Sequence, residues 1–205
     1  MKLNQLLPVI ERMRMDLRLK DDLRAVTYLA TYPSICSLGT NPKAIHAERF
    51  HQLAAMAYGW MPRILRLNPH CMRDAVAALV QAQNATNESF LSAELIRVIS
   101  RCLYSVVGAS KVLHFTNPSV FPIWDSKIER FRKSAEPTHA HMKQVEHYLD
   151  YSQEIQAIRH EGGFSKFYSE YKSAFDARLT ALGITSYGVS EVRVIEAAAF
   201  ELASR

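Results

Sequence analysis

Two residues near the middle of this 205-residue chain, Lys111 and Asp125, are the side chains best suited to carry out chemistry. An unprotonated lysine amine is a nucleophile that attacks electrophilic carbon and forms Schiff bases. A carboxylate beside it can stabilise a positive charge that develops as a bond breaks. The two residues could therefore act together, provided that the fold brings their side chains into contact.

The elements that must position these residues are predicted by the segment that joins them. Lys111 lies in a helical pattern that ends before the turn-forming pair Asn117-Pro118. The apolar run 120–124, VFPIW, follows, and Asp125 begins a new helix. The amine and the carboxylate are therefore expected on two different elements.

Each residue also has a purely structural interpretation, and both interpretations stay open at this stage. Asp125 directly precedes residues 126–129, SKIE, which have the sequence of a capping box, so its carboxylate could simply favour the helix N-terminus. The stem of Lys111 could lie along apolar neighbours and leave its charged head in water.

The rest of the chain has helical periodicity almost throughout. Helices are expected over about 3–17, 23–32, 42–58, 69–80, 89–107, 137–159, 164–182 and from 190 onward. Pro33 is expected to stop the second of these helices, with a loop over 34–41. The pattern predicts one irregular all-α domain spanning residues 1–205.

Composition narrows the class of protein. The net charge is +5, and residues 1–70 carry 10 Lys and Arg against 5 Asp and Glu, a balance that suits a polyanionic partner. Three widely spaced cysteines indicate neither a disulfide framework nor a metal site, so no metal or cofactor is expected. No apolar run is long enough to cross a bilayer and no leader is evident, so we expect a cytoplasmic protein without a membrane partner.

Residues 108–113, GASKVL, and 121–131, FPIWDSKIERF, resemble the core of the helix-hairpin-helix DNA glycosylases. In that family a glycine-containing hairpin precedes a helix that bears, in the bifunctional members, a nucleophilic lysine. An apolar segment then ends in an essential aspartate at the start of the next helix, and the segment 120–131 is most similar to the adenine-glycosylase version. The resemblance implies the glycosylase fold, with Asp125 as the essential carboxylate and Lys111 as the nucleophile of a lyase activity.

Base excision requires that the nucleotide leave the stack, so the resemblance also implies a pocket for the base and a surface for the DNA backbone. The residues that could line the pocket are Trp124, Phe121, His114 and Phe115. The residues that could contact the DNA backbone are Gly108, Ser110, Lys127, Arg130, Arg132 and Lys133. The aromatic residues are equally compatible with a place in the core.

The leading hypothesis is a DNA-binding base-excision enzyme that cleaves the N-glycosidic bond of a damaged or mispaired base. A non-enzymatic module that binds nucleic acid or protein, for example in a bacterial defence or regulatory system, is the first alternative. A small enzyme acting on a nucleotide is the second. Arg193 is expected to reach a core carboxylate, with Asp125 as one candidate, and His139, His141 and His147 do not have the spacing of a metal site.

Overall fold

The structure is a computed structural model, and it describes residues 1–15, 19–41, 43, 45–60, 64–86 and 92–203. The described part contains ten α-helices and no β-strand, which confirms the all-α prediction. The helices are α1 (Pro8–Met15), α2 (Leu23–Thr40), α3 (Ala47–Trp60), α4 (Met72–Gln83), α5 (Ala93–Leu103), α6 (Val106–Thr116), α7 (Ser126–Lys133), α8 (Val145–Arg159), α9 (Phe164–Ala181) and α10 (Glu191–Leu202).

Helix α6 lies at the centre of the packing. Every one of its residues except Val107 is buried, and it contacts α2, α3, α4, α5 and α8. A helix that is buried on all sides must be apolar around its circumference, as the sequence of α6 largely is. Lys111 and His114 are the two titratable residues among its polar exceptions, and each needs a polar or aromatic partner inside the protein. Within the described residues, no helix has the length and apolarity needed to span a membrane.

The expected break in the second helix is wrong, because α2 continues through Pro33 to Thr40. Proline has no N–H, so the carbonyl of Leu29, one turn earlier, loses its helical partner. The hydroxyl of Tyr187 donates a hydrogen bond to that carbonyl over 2.9 Å. The break is therefore compensated by a residue far away in the chain, and the expected loop over 34–41 is helical up to Thr40.

Gly39 is the reason that α2 can approach α6 closely. A Cβ atom placed on Gly39 would lie 1.9 Å from the carbonyl oxygen of Phe115, which belongs to the backbone and cannot move aside. We expect Gly39→Ala to lower the free energy of unfolding by about 1–3 kcal/mol, as overpacking does. Urea unfolding followed by circular dichroism measures this change.

Gly59, in α3, provides the matched control for this prediction. A Cβ on Gly59 would meet nothing within 4 Å. Because alanine favours a helix over glycine, Gly59→Ala should raise the stability by about 0.5–1 kcal/mol. Equal effects of the two substitutions would contradict the close approach of α2 and α6.

Several other predicted helix boundaries need correction. The third helix begins at Ala47, and Pro42, where it was expected to open, lies outside the described residues. Helix α5 ends at Leu103 because Tyr104 adopts the left-handed conformation, with φ 51°. Helix α8 begins at Val145 instead of residue 137. The expected helix ends at residues 17 and 89 also lie outside the described residues.

The predicted order of helix, non-helical segment and helix around Lys111 and Asp125 is confirmed. Helix α6 ends at Thr116, residues 117–125 have no helix, and α7 begins at Ser126. Two other predicted boundaries are also confirmed, since Gly163 precedes α9 and Ser190 caps α10.

Candidate active site

The segments that carry Lys111 and Asp125 are held together by Ser110. Its hydroxyl accepts a hydrogen bond from the backbone N–H of Trp124 over 3.1 Å and lies 3.3 Å from the carbonyl oxygen of the same residue. Ser110 and Trp124 directly precede Lys111 and Asp125 in the chain. The middle of α6 is therefore adjacent to the start of α7.

Asp125 is the N-cap of α7. Its Oδ1 accepts the backbone N–H of Ile128 over 3.0 Å, and the residue is partly exposed. The sequence indicated a capping box that starts at Ser126, and this is wrong because Ser126 is already the first helical residue. Capping engages one carboxylate oxygen of Asp125, so the structural role and a role in charge stabilisation are compatible at this position.

Lys111 is buried, with 7% of its surface exposed. Its Nζ lies 5.6 Å from the ring centroid of Trp60, the last residue of α3, in a cation–π arrangement. The interpretation that the ammonium group extends into water is therefore wrong. The amine lies inside the protein, in contact with an aromatic face.

His114 lies on α6 and is fully buried. Its Nδ1 is 2.8 Å from the carbonyl oxygen of Phe121, which can only accept, so Nδ1 carries the proton. Burial, together with Arg193 and Lys111, holds the pKa of His114 well below its usual range. Nε2 is then an acceptor, and the hydroxyl of Tyr32 donates to it over 2.9 Å. The imidazole is neutral and fixed in one tautomer.

This assignment predicts the NMR behaviour of His114. Nitrogen-15 spectra should show the Nδ1–H tautomer with no titration between about pH 5 and 8, since the native imidazole stays neutral. Comparison with His114→Asn identifies the resonances. A titration midpoint near 6.5, or the Nε2–H tautomer, would be incompatible with this hydrogen-bond network.

Arg193 reaches a core carboxylate, as expected, but the carboxylate is that of Glu196, a residue that the sequence did not identify. Arg193 forms an ion pair with Glu196 within α10, not with Asp125. The Glu196 carboxylate also accepts the backbone N–H of Ile123, and it lies 3.6 Å from Nδ1 of His114. Since His114 is neutral, that last approach is a polar contact and not an ion pair.

Burial raises the pKa of Glu196 to about 7, while Arg193 and the N–H of Ile123 oppose the shift and Asp125 adds to it. For Arg193, burial alone would lower the pKa, but the Glu196 carboxylate raises it above its ordinary value. A carboxyl group with a pKa near 7 can exchange a proton at neutral pH. The cluster thus combines a buried amine, a neutral imidazole and a carboxyl group that is easily protonated.

The four residues expected to line a base pocket are all in the core. Trp124, Phe121, His114 and Phe115 have 0% of their surface exposed. Trp124 donates its Nε1–H to Glu129 over 3.0 Å. None of these four side chains offers an open face in this structure.

The six residues expected at the DNA backbone are divided between the interior and the surface. Gly108 and Ser110 are buried, and a Cβ on Gly108 would lie 2.5 Å from the Tyr58 hydroxyl. Arg132 is also buried, where it binds both Glu129 and Glu154. The three that reach the surface are Lys127, Lys133 and, in part, Arg130, which binds Glu136.

The histidines considered as metal ligands have other contacts. His141 binds Glu129 through Nε2 over 2.7 Å, and its ring stacks on His147 with 3.7 Å between centroids. Across the described ranges, no three His, Cys, Asp or Glu side chains are grouped as they would be around a metal ion.

No protein-family model matches the chain, and neither the curated proteins nor the solved structures contain a match to it.

Proposed function

We propose that this protein is a DNA-binding base-excision enzyme, a DNA N-glycosylase that also has lyase activity. The observation that carries the proposal is the pair of contacts between Ser110 and Trp124, which places the Lys111 segment beside the Asp125 segment. The helices α5 and α6, joined by Tyr104 and Ser105, support a fold like that of the helix-hairpin-helix glycosylases.

In the proposed reaction, the bond between the base and the sugar C1′ breaks and the base leaves with the bonding electrons. The Asp125 carboxylate stabilises the positive charge on the sugar, and its position at the start of α7 fixes where that charge must lie. The unprotonated amine of Lys111 forms a bond to C1′ and passes one proton to the departed base. The C1′–O4′ bond then breaks, O4′ takes the second amine proton, and the Schiff base is formed. This covalent intermediate precedes strand cleavage or hydrolysis.

The surface of α7 supports DNA as the substrate. Lys127 and Lys133 are exposed on this helix, and Arg130 is partly exposed between them. The start of the same helix carries Asp125, so a phosphate backbone held by these cations would lie near the carboxylate. The net charge of +5 favours the same partner.

Release of base under single-turnover conditions tests this proposal. The substrates are duplexes that carry uracil, hypoxanthine, 8-oxoguanine, 7-methylguanine or adenine opposite 8-oxoguanine. We expect base release from at least one of them, seen as strand cleavage after alkali, and cleavage without alkali if the lyase activity is present. Lys166→Ala, a substitution on the exposed face of α9, is the control that should retain the rate.

A non-enzymatic DNA-binding protein is the second candidate, and the burial of the four expected pocket residues favours it. Such a protein would bind every duplex with the strong salt dependence of phosphate contacts. It would release no base, and its binding would tolerate the loss of both Lys111 and Asp125. That set of results would reject the glycosylase proposal.

A further inference from the structure

A row of aromatic rings leads from the surface into the core beside Lys111. Trp60 lies at its centre, and the centroid of its ring is 5.0 Å from that of Tyr28. The ring of Phe115 is nearly perpendicular to that of Trp60, with 5.4 Å between the two centroids. Tyr32 continues the row, 6.4 Å from Trp60. Tyr28 and Trp60 are partly exposed, whereas Phe115 and Tyr32 are buried. One end of the row is therefore partly exposed to solvent, and the other end is fixed by packing in the core.

Three cations lie over the faces of these rings. The guanidinium of Arg24 is 5.3 Å from the Tyr28 centroid, and that of Arg193 is 5.8 Å from the Trp60 centroid. Lys111 reaches Trp60 from a third helix. Electrostatics in such a place favour a neutral or anionic ligand and disfavour a cationic one.

Trp60 differs from the other tryptophan of the chain, Trp124. Trp124 is fully buried and its Nε1–H is bound to Glu129. Trp60 is partly exposed, yet its Nε1–H is shielded from solvent and has no hydrogen-bond partner in the ranges that the structure describes. The part of Trp60 that reaches the surface is therefore the carbon surface of its ring.

We propose that Trp60 is the surface on which the substrate base stacks, and that the site accepts neutral bases in preference to cationic ones. This inference rests on the proposed function, because a sugar held at the Lys111 amine must place its base near the ring that the amine contacts. Arg24, and Lys111 before it loses its proton for the attack, disfavour bases that carry a positive charge, such as alkylated purines.

Binding of duplexes that resist cleavage tests the inference without requiring activity. The probes carry a 2′-fluorinated nucleotide with uracil, hypoxanthine or 8-oxoguanine as neutral bases, or with 7-methylguanine as the cationic one. A duplex with a tetrahydrofuran abasic site is the control. We expect Trp60→Leu to weaken binding of the preferred neutral base at least fivefold and to leave the abasic duplex within about twofold. The cationic base should bind at least about fivefold more weakly than the preferred neutral base.

Fluorescence of the Trp124→Phe variant, in which Trp60 is the remaining tryptophan, gives a second readout that keeps Trp60 intact. The preferred neutral base should quench this fluorescence and the abasic duplex should not. Absence of quenching by every base, or tighter binding of 7-methylguanine than of all three neutral bases, would overturn the inference.

The outcomes also separate this inference from the proposed function. Base release that Trp60→Leu leaves unchanged would remove Trp60 from base recognition while the glycosylase proposal stands. Base-dependent quenching in a protein that releases no base would support the stacking site and reject the catalytic proposal. If Trp60→Leu does not fold, the quenching measurement decides the question by itself.

Discussion

Arg193→Met is expected to lower the free energy of unfolding by about 1–3 kcal/mol, because Glu196 loses a charge-assisted hydrogen bond and must take up a proton to remain buried without its cation. Glu196 has 1% of its surface exposed and cannot turn to solvent within this packing. The double variant Arg193→Met/Glu196→Gln should recover a large part of the loss, since a glutamine oxygen can still accept the N–H of Ile123. Urea unfolding of the two single variants and the double variant gives the coupling energy.

The loss in Arg193→Met should grow as the pH rises. The pKa of Glu196 is already raised to about 7 from an ordinary 4.5, so the native state holds this proton more tightly than the unfolded chain does. The stabilisation that comes from this tighter proton binding is complete below about pH 4.5, the ordinary pKa of the carboxyl group. It is lost as the pH rises through the native pKa of Glu196. Removal of Arg193 raises that native pKa further. His114 has the opposite pH dependence, because its pKa is lowered and its stabilising contribution is lost as the pH falls below about 6.5. Measurements at pH 7 and 8.5 avoid this contribution. A loss below 1 kcal/mol at both pH values would contradict the buried ion pair.

Asp125→Asn is expected to reduce base release at least about 100-fold while the protein remains folded. Asparagine caps a helix about as well as aspartate, so the contact with the N–H of Ile128 is retained and stability should change by less than about 0.5 kcal/mol. The negative charge that would stabilise the sugar cation is lost, and electrostatic groups of this kind contribute about 100- to 1000-fold to a rate. Single-turnover base release and thermal unfolding, measured on the same preparation, check both parts.

Two further variants sharpen this comparison. Asp125→Ala removes the cap as well as the charge, and it should lose about 1 kcal/mol of stability in addition to activity. Asp150→Asn makes the same chemical change at an exposed position of α8 and should alter neither property. If Asp125→Asn releases base within threefold of the unsubstituted protein, Asp125 serves only as a helix cap.

The sequence predicts local features of this protein well where the signals lie close together in the chain. The end of α6, the Asn117-Pro118 turn and the start of α7 at Ser126 all follow from residues within a short segment. The prediction for α2 failed because the residue that compensates Pro33 is Tyr187, which is 158 positions away from the carbonyl it binds. No local sequence pattern predicts such a contact.

The same distinction applies to the site. Lys111 and Asp125 could be proposed from the sequence because their types and order suggest chemistry, whereas Glu196 resembles an ordinary acidic residue of an amphipathic helix. Its importance depends on the N–H of Ile123, 73 positions earlier, and on burial that only the packed fold creates. Trp60 was missed for a similar reason, since its place beside Lys111 results from the packing of α3 on α6.

Borohydride trapping followed by peptide mapping tests the central claim most directly. The claim is that Lys111 attacks a sugar carbon beside Asp125, and borohydride reduces such a Schiff base to a stable bond between the protein and an abasic-site duplex. We predict one adduct, located by mass spectrometry on Lys111 and lost in Lys111→Ala but retained in Lys166→Ala. An adduct on another residue, or none with a protein that binds the duplex, would contradict the claim.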